Sequence, residues 1–331
     1  MTMISRRAFA HAAGGTVAAL LLGTAAFAQA NGFPDKPIRV IVPFAAGNVL
    51  DNALRQVGEE FKKNTGQPLI IESKPGGGGI IAAQAVANAA PDGYTLLLAS
   101  VSMMTVNPHT FNKLPYDPLK SFRQITGFYG SSQVMAVNAS VPANNIKEFV
   151  EWAKAQKRPV SFASFTAGNT SHFMGVILNK RTGLDLVHVP FNGTPPAVQN
   201  LVGQQVDTAF LPLIAVKPQV EAGKVKVLAV STPERSPILP NVPTFREQGY
   251  PDLTIHIWSS LAAPAGTPDA VVNKLNAAFT KILREPALRA KWAELDGVPM
   301  PMTPDEMTKL IQSDSKLWGE AVRLSGFKAS E

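Results

Sequence analysis

Three short stretches carry residue types able to hold a small molecule, and each joins a strand-like run to a helix-like one. The first is Pro43-Phe44-Ala45-Ala46-Gly47-Asn48-Val49-Leu50-Asp51. Its small residues let a ligand approach the backbone, and the free N–H groups at the start of the next helix attract an anion. Asp51 serves there equally as a first-turn helix stabiliser. The second is Lys74-Pro75-Gly76-Gly77-Gly78-Gly79-Ile80, where four glycines in a row call for positive φ or a close backbone approach. The third is Ser164-Phe165-Thr166-Ala167-Gly168-Asn169-Thr170-Ser171-His172. Any of Asn169, Thr170 and Ser171 can cap a helix. One anion-friendly helix start in each half of the chain would hold a carboxylate from two sides.

Catalytic constellations are missing. Beyond His11, the histidines His109, His172, His188 and His256 are scattered, without metal-ligand spacing. His188 alternates with Val187 and Val189 and reads as a sheet residue. No G-x-S-x-G elbow occurs. Gly77 to Ala82 fits G-x-G-x-x-A, but it follows the second strand of its unit, and Asp92 lies in a Pro-Asp-Gly turn instead of at a strand end. With no cysteine in the chain, disulfides and thiolate-bound zinc are excluded. No cofactor is expected. Trp152, Trp292 and Trp318 fall in helical patterns as packing residues. Trp258 is open between a cleft and a core position.

The 331 residues are 45% hydrophobic and 17% charged, a globular composition too long for one small domain. The formal net charge of +7 is spread without a dense Lys/Arg stripe, so nucleic acid is not an expected partner. Residues 1–30 read as an export signal. Ser5-Arg6-Arg7-Ala8-Phe9 gives a charged start with a twin-arginine pattern, residues 12–25 are small and apolar, and Ala28 or Ala30 ends a small-x-small cleavage site. Ala10-His11 after Phe9 leaves the general secretory route open as well. The apolar stretch is too short and alanine-rich for a membrane anchor.

The elements that must position the three stretches alternate along the mature chain. Strand patterns fall at 38–42, 69–71, 95–99, 133–137, 160–163, 186–189, 206–211 and 225–230. Helical spacing falls at 51–64, 80–90, 146–155, 170–182, 195–202, 216–222, 268–284, 287–294 and 304–322. Repeated strand–helix units predict α/β architecture with parallel-rich sheets flanked by helices. The natural division gives lobe 1 residues 33–132 and 230–331, and lobe 2 residues 133–229.

Taken in order, these stretches resemble the Bug solute receptors of tripartite tricarboxylate transporters, across essentially the whole mature chain. The resemblance rests on Phe33-Pro34-Asp35-Lys36-Pro37-Ile38-Arg39, on residues 42–47 with Asp51 and Arg55, and on Lys74-Pro75-Gly76 with Gly78-Gly79. It continues through Ala90-Pro91-Asp92-Gly93-Tyr94, Asn107-Pro108, Leu114-Pro115-Tyr116-Asp117-Pro118, His188-Val189-Pro190-Phe191, Gly203-Gln204-Gln205-Val206-Asp207, Val242-Pro243-Thr244 and Ala263-Pro264-Ala265-Gly266-Thr267-Pro268.

The resemblance implies a two-lobed type II periplasmic binding fold that closes on a small organic carboxylate, acts in the periplasm as a monomer and hands its cargo to the transporter's membrane components. It also implies a carboxylate held by backbone N–H groups and ordered waters. One jaw is then Phe44, Ala45, Ala46, Gly47 and Asn48, with Asp51. The other is Thr166, Ala167, Gly168 and Asn169 with His172. Asn192, Gly193 and Thr194 form a further second-lobe loop, and Ser100 and Ser102 line the floor. Asn48, Val49-Leu50, Ile80 and Leu211 depart from the family's usual residues and predict a more apolar pocket for a longer or aromatic acid. A ligand-sensing module for a membrane signalling partner needs the same cleft. A periplasmic α/β enzyme lacks its chemistry here.

Overall fold

The computed structural model describes residues 32–255 and 257–327; the export signal read over 1–30 lies outside the described residues. In chain order come β1 (Ile38–Val42), α1 (Val49–Thr65), β2 (Leu69–Ser73), α2 (Ile80–Ala87) and β3 (Thr95–Ser100). A single π-helical turn, Ser102–Val106, leads into the short α3 (Asn107–Thr110) and then β4 (Phe122–Ser131). Next are β5 (Gln133–Asn138), α4 (Ile146–Ala155), β6 (Ser161–Ser164), α5 (Thr170–Thr182), β7 (Val187–Pro190), α6 (Thr194–Val202), β8 (Thr208–Pro212), α7 (Leu213–Glu221) and β9 (Val225–Val230). The chain ends with β10 (Ile257–Pro264), α8 (Asp269–Leu283), α9 (Pro286–Ala293), β11 (Gly297–Pro299) and α10 (Pro304–Ser325).

The strands form two sheets, ordered β11-β4-β10-β3-β1-β2 and β7-β6-β8-β5-β9. Both repeat one plan. The first strand of each set (β1, β6) runs parallel between its successors, β2 and β3 or β7 and β8. A visiting strand then enters antiparallel beside the third: β10 next to β3, β5 next to β8. Side chains alternate across each sheet, so both sheets are covered on two faces. Val40, Leu96 and Leu98 meet α1 and α8 in one core, through Leu54, Phe61, Leu275 and Phe279. Val134, Ala163 and Leu211 meet α6 and α7 in a second. The third core is shared: Ile41, Leu97 and Met103 from the first sheet's side join Met135, Phe162 and Phe173 from the second, bridged by Trp318 and Val322 of α10.

Only Ser132 separates β4 from β5. Ser131, closing β4, pairs with Ile257, which opens β10, and Gln133 pairs with Pro212 at the end of β8. The carboxyl ends of the parallel strands in both sheets therefore face the crossover, and each other across it. Buried polar groups knit this crossover. Asp296 accepts from the Ser132 N–H (2.9 Å), Ser132 Oγ (3.1 Å) and Ser236 Oγ (2.8 Å). Ser231 Oγ accepts from the Gln133 N–H and donates to the Ile255 carbonyl. Residues 231–255 stay against the second sheet, through the Val230–Thr244 bridge and the bond from Gln248 Nε2 to the Leu228 carbonyl.

The longest strand, β4, and its partner β10 were not legible from periodicity. Their buried polar residues Gln124, Thr126, Ser259 and Ser260 break the apolar run, and Gly127 and Gly130 interrupt β4. These glycines are required by packing: a Cβ at Gly127 would lie 2.5 Å from the Met300 carbonyl oxygen. Trp258 belongs to the core, 2% exposed, its indole N–H donating to Asp314 Oδ2 at 2.7 Å.

Candidate ligand-binding site

In open α/β sheets ligands bind outside the carboxyl ends of the strands. At that edge the loop after β1 (43–48) and the loop after β6 (165–169) occupy equivalent positions. They also share a sequence, Phe44-Ala45-Ala46-Gly47-Asn48 and Phe165-Thr166-Ala167-Gly168-Asn169, a repeat that the periodicity reading passed over because its two copies lie so far apart. Each copy builds the same device. The glycine takes positive φ, 84° at Gly47 and 72° at Gly168, a conformation that a Cβ disfavours. The asparagine caps the helix: Asn48 Oδ1 accepts from the Leu50 and Asp51 N–H groups, and Asn169 Oδ1 from the His172 N–H. The residue four on from each glycine accepts that glycine's N–H, Asp51 Oδ2 at 2.8 Å and His172 Nδ1 at 3.2 Å. The tips Ala45, Ala46 and Gly47, and Thr166 and Ala167, are exposed. Among the described residues no hydrogen bond or ion pair joins one jaw to the other.

Asp51, expected among the ligand-facing residues, is 1% exposed, and its carboxylate is taken by Gly47 and by Arg55 Nε and Nη2 at 3.1 and 3.2 Å. It holds the loop's shape. Burial pushes its pKa up, but the Gly47 N–H and Arg55 outweigh this and keep it below the ordinary value. His172 is likewise buried, supporting its loop from beneath. Its ring stacks on His188 with centroids 3.7 Å apart and planes 7° from parallel. Phe162 flanks His188, and Phe173 and Phe327 contact His172.

The hydrogen bonds fix both tautomers. Ser164 Oγ gives its one hydrogen to the Thr166 carbonyl (2.9 Å), so the 2.7 Å contact with His188 must be Nε2–H donating to Oγ. His172 Nδ1 accepts from Gly168, which puts its proton on Nε2. Burial pulls both imidazoles down to about 4, with the neighbouring ring's charge adding at His172. Both are therefore neutral at pH 7.

The loop at 191–193 braces the second jaw. The Phe191 N–H donates to the Ser164 carbonyl, and the Gly193 N–H, at φ 104°, to the Phe165 carbonyl. Asn192 is exposed, and Thr194 opens α6 half-buried. Ser100 and Ser102 are half-buried at the end of β3, where Ser100 Oγ accepts from the Met103 N–H. The four glycines 76–79 all have positive φ, and a Cβ at Gly79 would lie 2.5 Å from Met103 Sδ, so this turn fits against the π-helical segment.

Of the departures expected to make the pocket apolar, Leu211 is fully buried in a core, and Leu50 and Ile80 pack partly buried against cores. The half-buried Asn48 and Val49, 38% exposed, are the departures presented at a jaw. A hollow of about 750 Å³ between α3, the 111–119 loop and α10 has no jaw residue in its lining. Among the described residues there is no metal-ligating cluster and no helix long and apolar enough to cross a membrane.

Comparison with known proteins matches these features. The model for the tripartite tricarboxylate transporter family receptor covers residues 53–327. A UPF0065 protein of Bordetella pertussis is 33% identical over 309 residues, 93% of this chain and 95% of the relative. The structure of MatC from Rhodopseudomonas palustris with bound malate is 33% identical with a TM-score of 0.73, covering 88% of this chain and 100% of that one. A second R. palustris protein, solved with adipate, is 26% identical with a TM-score of 0.78, covering 90% and 100%. With the family match running over most of its length and a relative of this identity aligned almost end to end, the chain belongs to the tripartite tricarboxylate transporter receptor family of periplasmic binding proteins.

Proposed function

We propose that this protein is exported to the periplasm, captures a small organic carboxylate between the two facing jaws, closes on it, and delivers it to the membrane components of a tripartite tricarboxylate-type transporter. The observation that carries the reading is the duplicated helix start. Each jaw offers backbone N–H groups without an acceptor among the described residues, at Ala45, Ala46 and Val49 on one side and Ala167, Thr170 and Ser171 on the other. A helix N-terminus with free N–H groups favours a carboxylate without any cationic side chain. Arg55, the cation beside the first jaw, is engaged by Asp51. Two relatives were solved with dicarboxylates, adipate and malate.

In this reading Phe44, Ala45, Ala46, Gly47 and Asn48 contact the ligand from lobe 1, whose returning segment is drawn from 257 onward because residues 230–255 stay with the second sheet. Thr166, Ala167, Gly168, Asn169, Asn192, Gly193 and Thr194 contact it from lobe 2, above the floor at Ser100 and Ser102. Asp51 and His172 act by shaping the loops. The protein binds and does not transform its ligand: the stacked histidines are neutral, sequestered and engaged in holding a loop.

The test is a thermal-shift screen of the mature chain against mono-, di- and tricarboxylates and their amides. A ligand at about 100 times Kd adds about 2.7 kcal/mol to the folded state. An acid that raises the melting temperature while its amide does not supports the reading. Equal shifts from acid and amide, or no shift across the whole panel, overturn it.

A further inference from the structure

The two jaws are built on one plan, so their differences report what each does. In the first, the capping amide is fully used: Asn48 Oδ1 serves the Leu50 and Asp51 N–H groups, and Nδ2 donates to the Ala45 carbonyl at 2.6 Å. In the second, Asn169 Oδ1 serves only the His172 N–H, and Nδ2 has no partner among the described residues although the residue is 5% exposed. The carbonyl corresponding to that of Ala45 belongs to Thr166, and it accepts from Ser164 Oγ instead. Pro43, which corresponds to Ser164, has no hydrogen to give. Ser164 with His188 behind it thus diverts the internal acceptor and leaves the Asn169 donor open.

A second orphan lies beside the same helix start. Gln133 Nε2 reaches Thr170 Oγ1 at 3.4 Å, while its Oε1 has no donor among the described residues, in a residue 1% exposed. Buried donors and acceptors are rarely left unpaired in a native fold. A donor and an acceptor side by side are both satisfied by one guest that accepts at one atom and donates at the next.

The jaws also differ in charge. A carboxylate, Asp51, stands behind the Gly47 amide, whereas a neutral imidazole stands behind that of Gly168. The second jaw keeps the N–H groups of its first two helical residues, Thr170 and Ser171, whereas Asn48 has consumed that of Leu50 in the first.

We infer that the second jaw anchors a 2-hydroxycarboxylate, whose carboxylate accepts from Asn169 Nδ2 and the N–H groups of Thr170 and Ser171, and whose hydroxyl donates to Gln133 Oε1. This rests on the carboxylate-capture reading above. The first jaw closes over the remainder of the molecule. Because Asn169 is covered, the acid reaches it as the exposed 166–167 tip moves aside.

Isothermal titration of the mature protein with malate against succinate, and with lactate against propionate, tests the inference. The hydroxy acid of at least one pair binds more tightly, and Gln133→Met removes that preference. Asn169→Asp keeps a good helix cap but replaces the donor with a charge, and costs about 100-fold in affinity. Ser164→Ala returns the Thr166 carbonyl to Asn169 and weakens binding, but adds no further loss in the Asn169→Asp background, a coupling that a merely structural serine would not produce. Apo melting temperatures of the variants check that each is folded. Unchanged affinity in Asn169→Asp, or equal affinity within both acid pairs, overturns the inference. If none of the four acids binds while another acid in the thermal-shift panel does, the hydroxy-acid assignment alone falls. If no acid binds at all, the capture reading falls with it.

Discussion

Acid should loosen the second jaw before it unfolds the rest of the molecule, and the stacked imidazoles set the size of the effect. His172 and His188 have folded-state pKa values near 4 against an ordinary 6.5. A group whose folded pKa is depressed binds protons more readily when unfolded. Its contribution is therefore complete above about pH 6.5 and is lost as pH falls toward 4. At pH 4.5 each histidine costs roughly 2.5 kcal/mol by this linkage, and protonating both would place two cations 3.7 Å apart.

Two carboxylates oppose them. Burial raises Asp314 to about 6 against the lowering effect of the Trp258 indole N–H, so the folded state gains roughly 2 kcal/mol from Asp314 over the same range. Asp296, also raised by burial, acts in the same direction. The wild-type curve alone is consequently ambiguous. His188→Gln resolves it, because glutamine can still donate to Ser164 Oγ but does not titrate, and the aspartates contribute equally to both proteins. Urea unfolding followed by fluorescence of the buried Trp258, Trp292 and Trp318 measures each stability at pH 7 and 4.5. The difference between wild type and variant should change by roughly 2–3 kcal/mol between the two pH values, in the variant's favour at low pH. Parallel pH curves would refute the assignment of a neutral, donating His188.

Glycine substitutions should separate strain from sterics. Gly47→Ala meets no atom within 4 Å of the new Cβ and should lose about 1 kcal/mol through its φ of 84° alone, whereas Gly168→Ala also places Cβ 2.8 Å from the Phe327 ring and should lose about 2–3 kcal/mol in urea unfolding. Asp296→Ala strands the buried Ser132 N–H and releases Ser236 at the crossover, and should cost about 2–4 kcal/mol by the same measurement.

The helices and most strands were legible because their apolar spacing survives at the core. Thr170–Thr182 and Val225–Val230 fall where spacing alone puts them. β4 and β10 escaped because central strands that exchange hydrogen bonds on both edges tolerate buried Ser, Thr and Gln, which erases the apolar signature. The jaws were legible as loops, but the roles of individual residues within them were not. Asp51 and His172 read as ligand contacts by type, yet each is spent on its own glycine's N–H. Ser164 and His188 belong to different strands, and only the register β6–β7 brings them together. Phe327 approaches the second jaw from the end of α10, a contact that no local pattern could announce.

The cores bear on how the proposed closure would proceed. Two of the three belong to a single sheet each and have no reason to change. The third spans both sheets where α10, held on the first sheet by the Thr303 capping box and the bond from the Met302 N–H to Thr126 Oγ1, lies against α5 of the second. Its outer rim is the exposed Lys180–Glu320 pair, which can be remade at small cost. The buried bonds of Asp296 and Ser231, by contrast, tie the crossover strands at their ends, where a break would strand polar groups away from water. In the closure proposed above, a motion that keeps those bonds and slides α5 along α10 would bring the two Phe-x-Ala-Gly-Asn loops together. Phe327, which lies against Gly168 and His172, would then couple the position of the last helix to the shape of the second jaw.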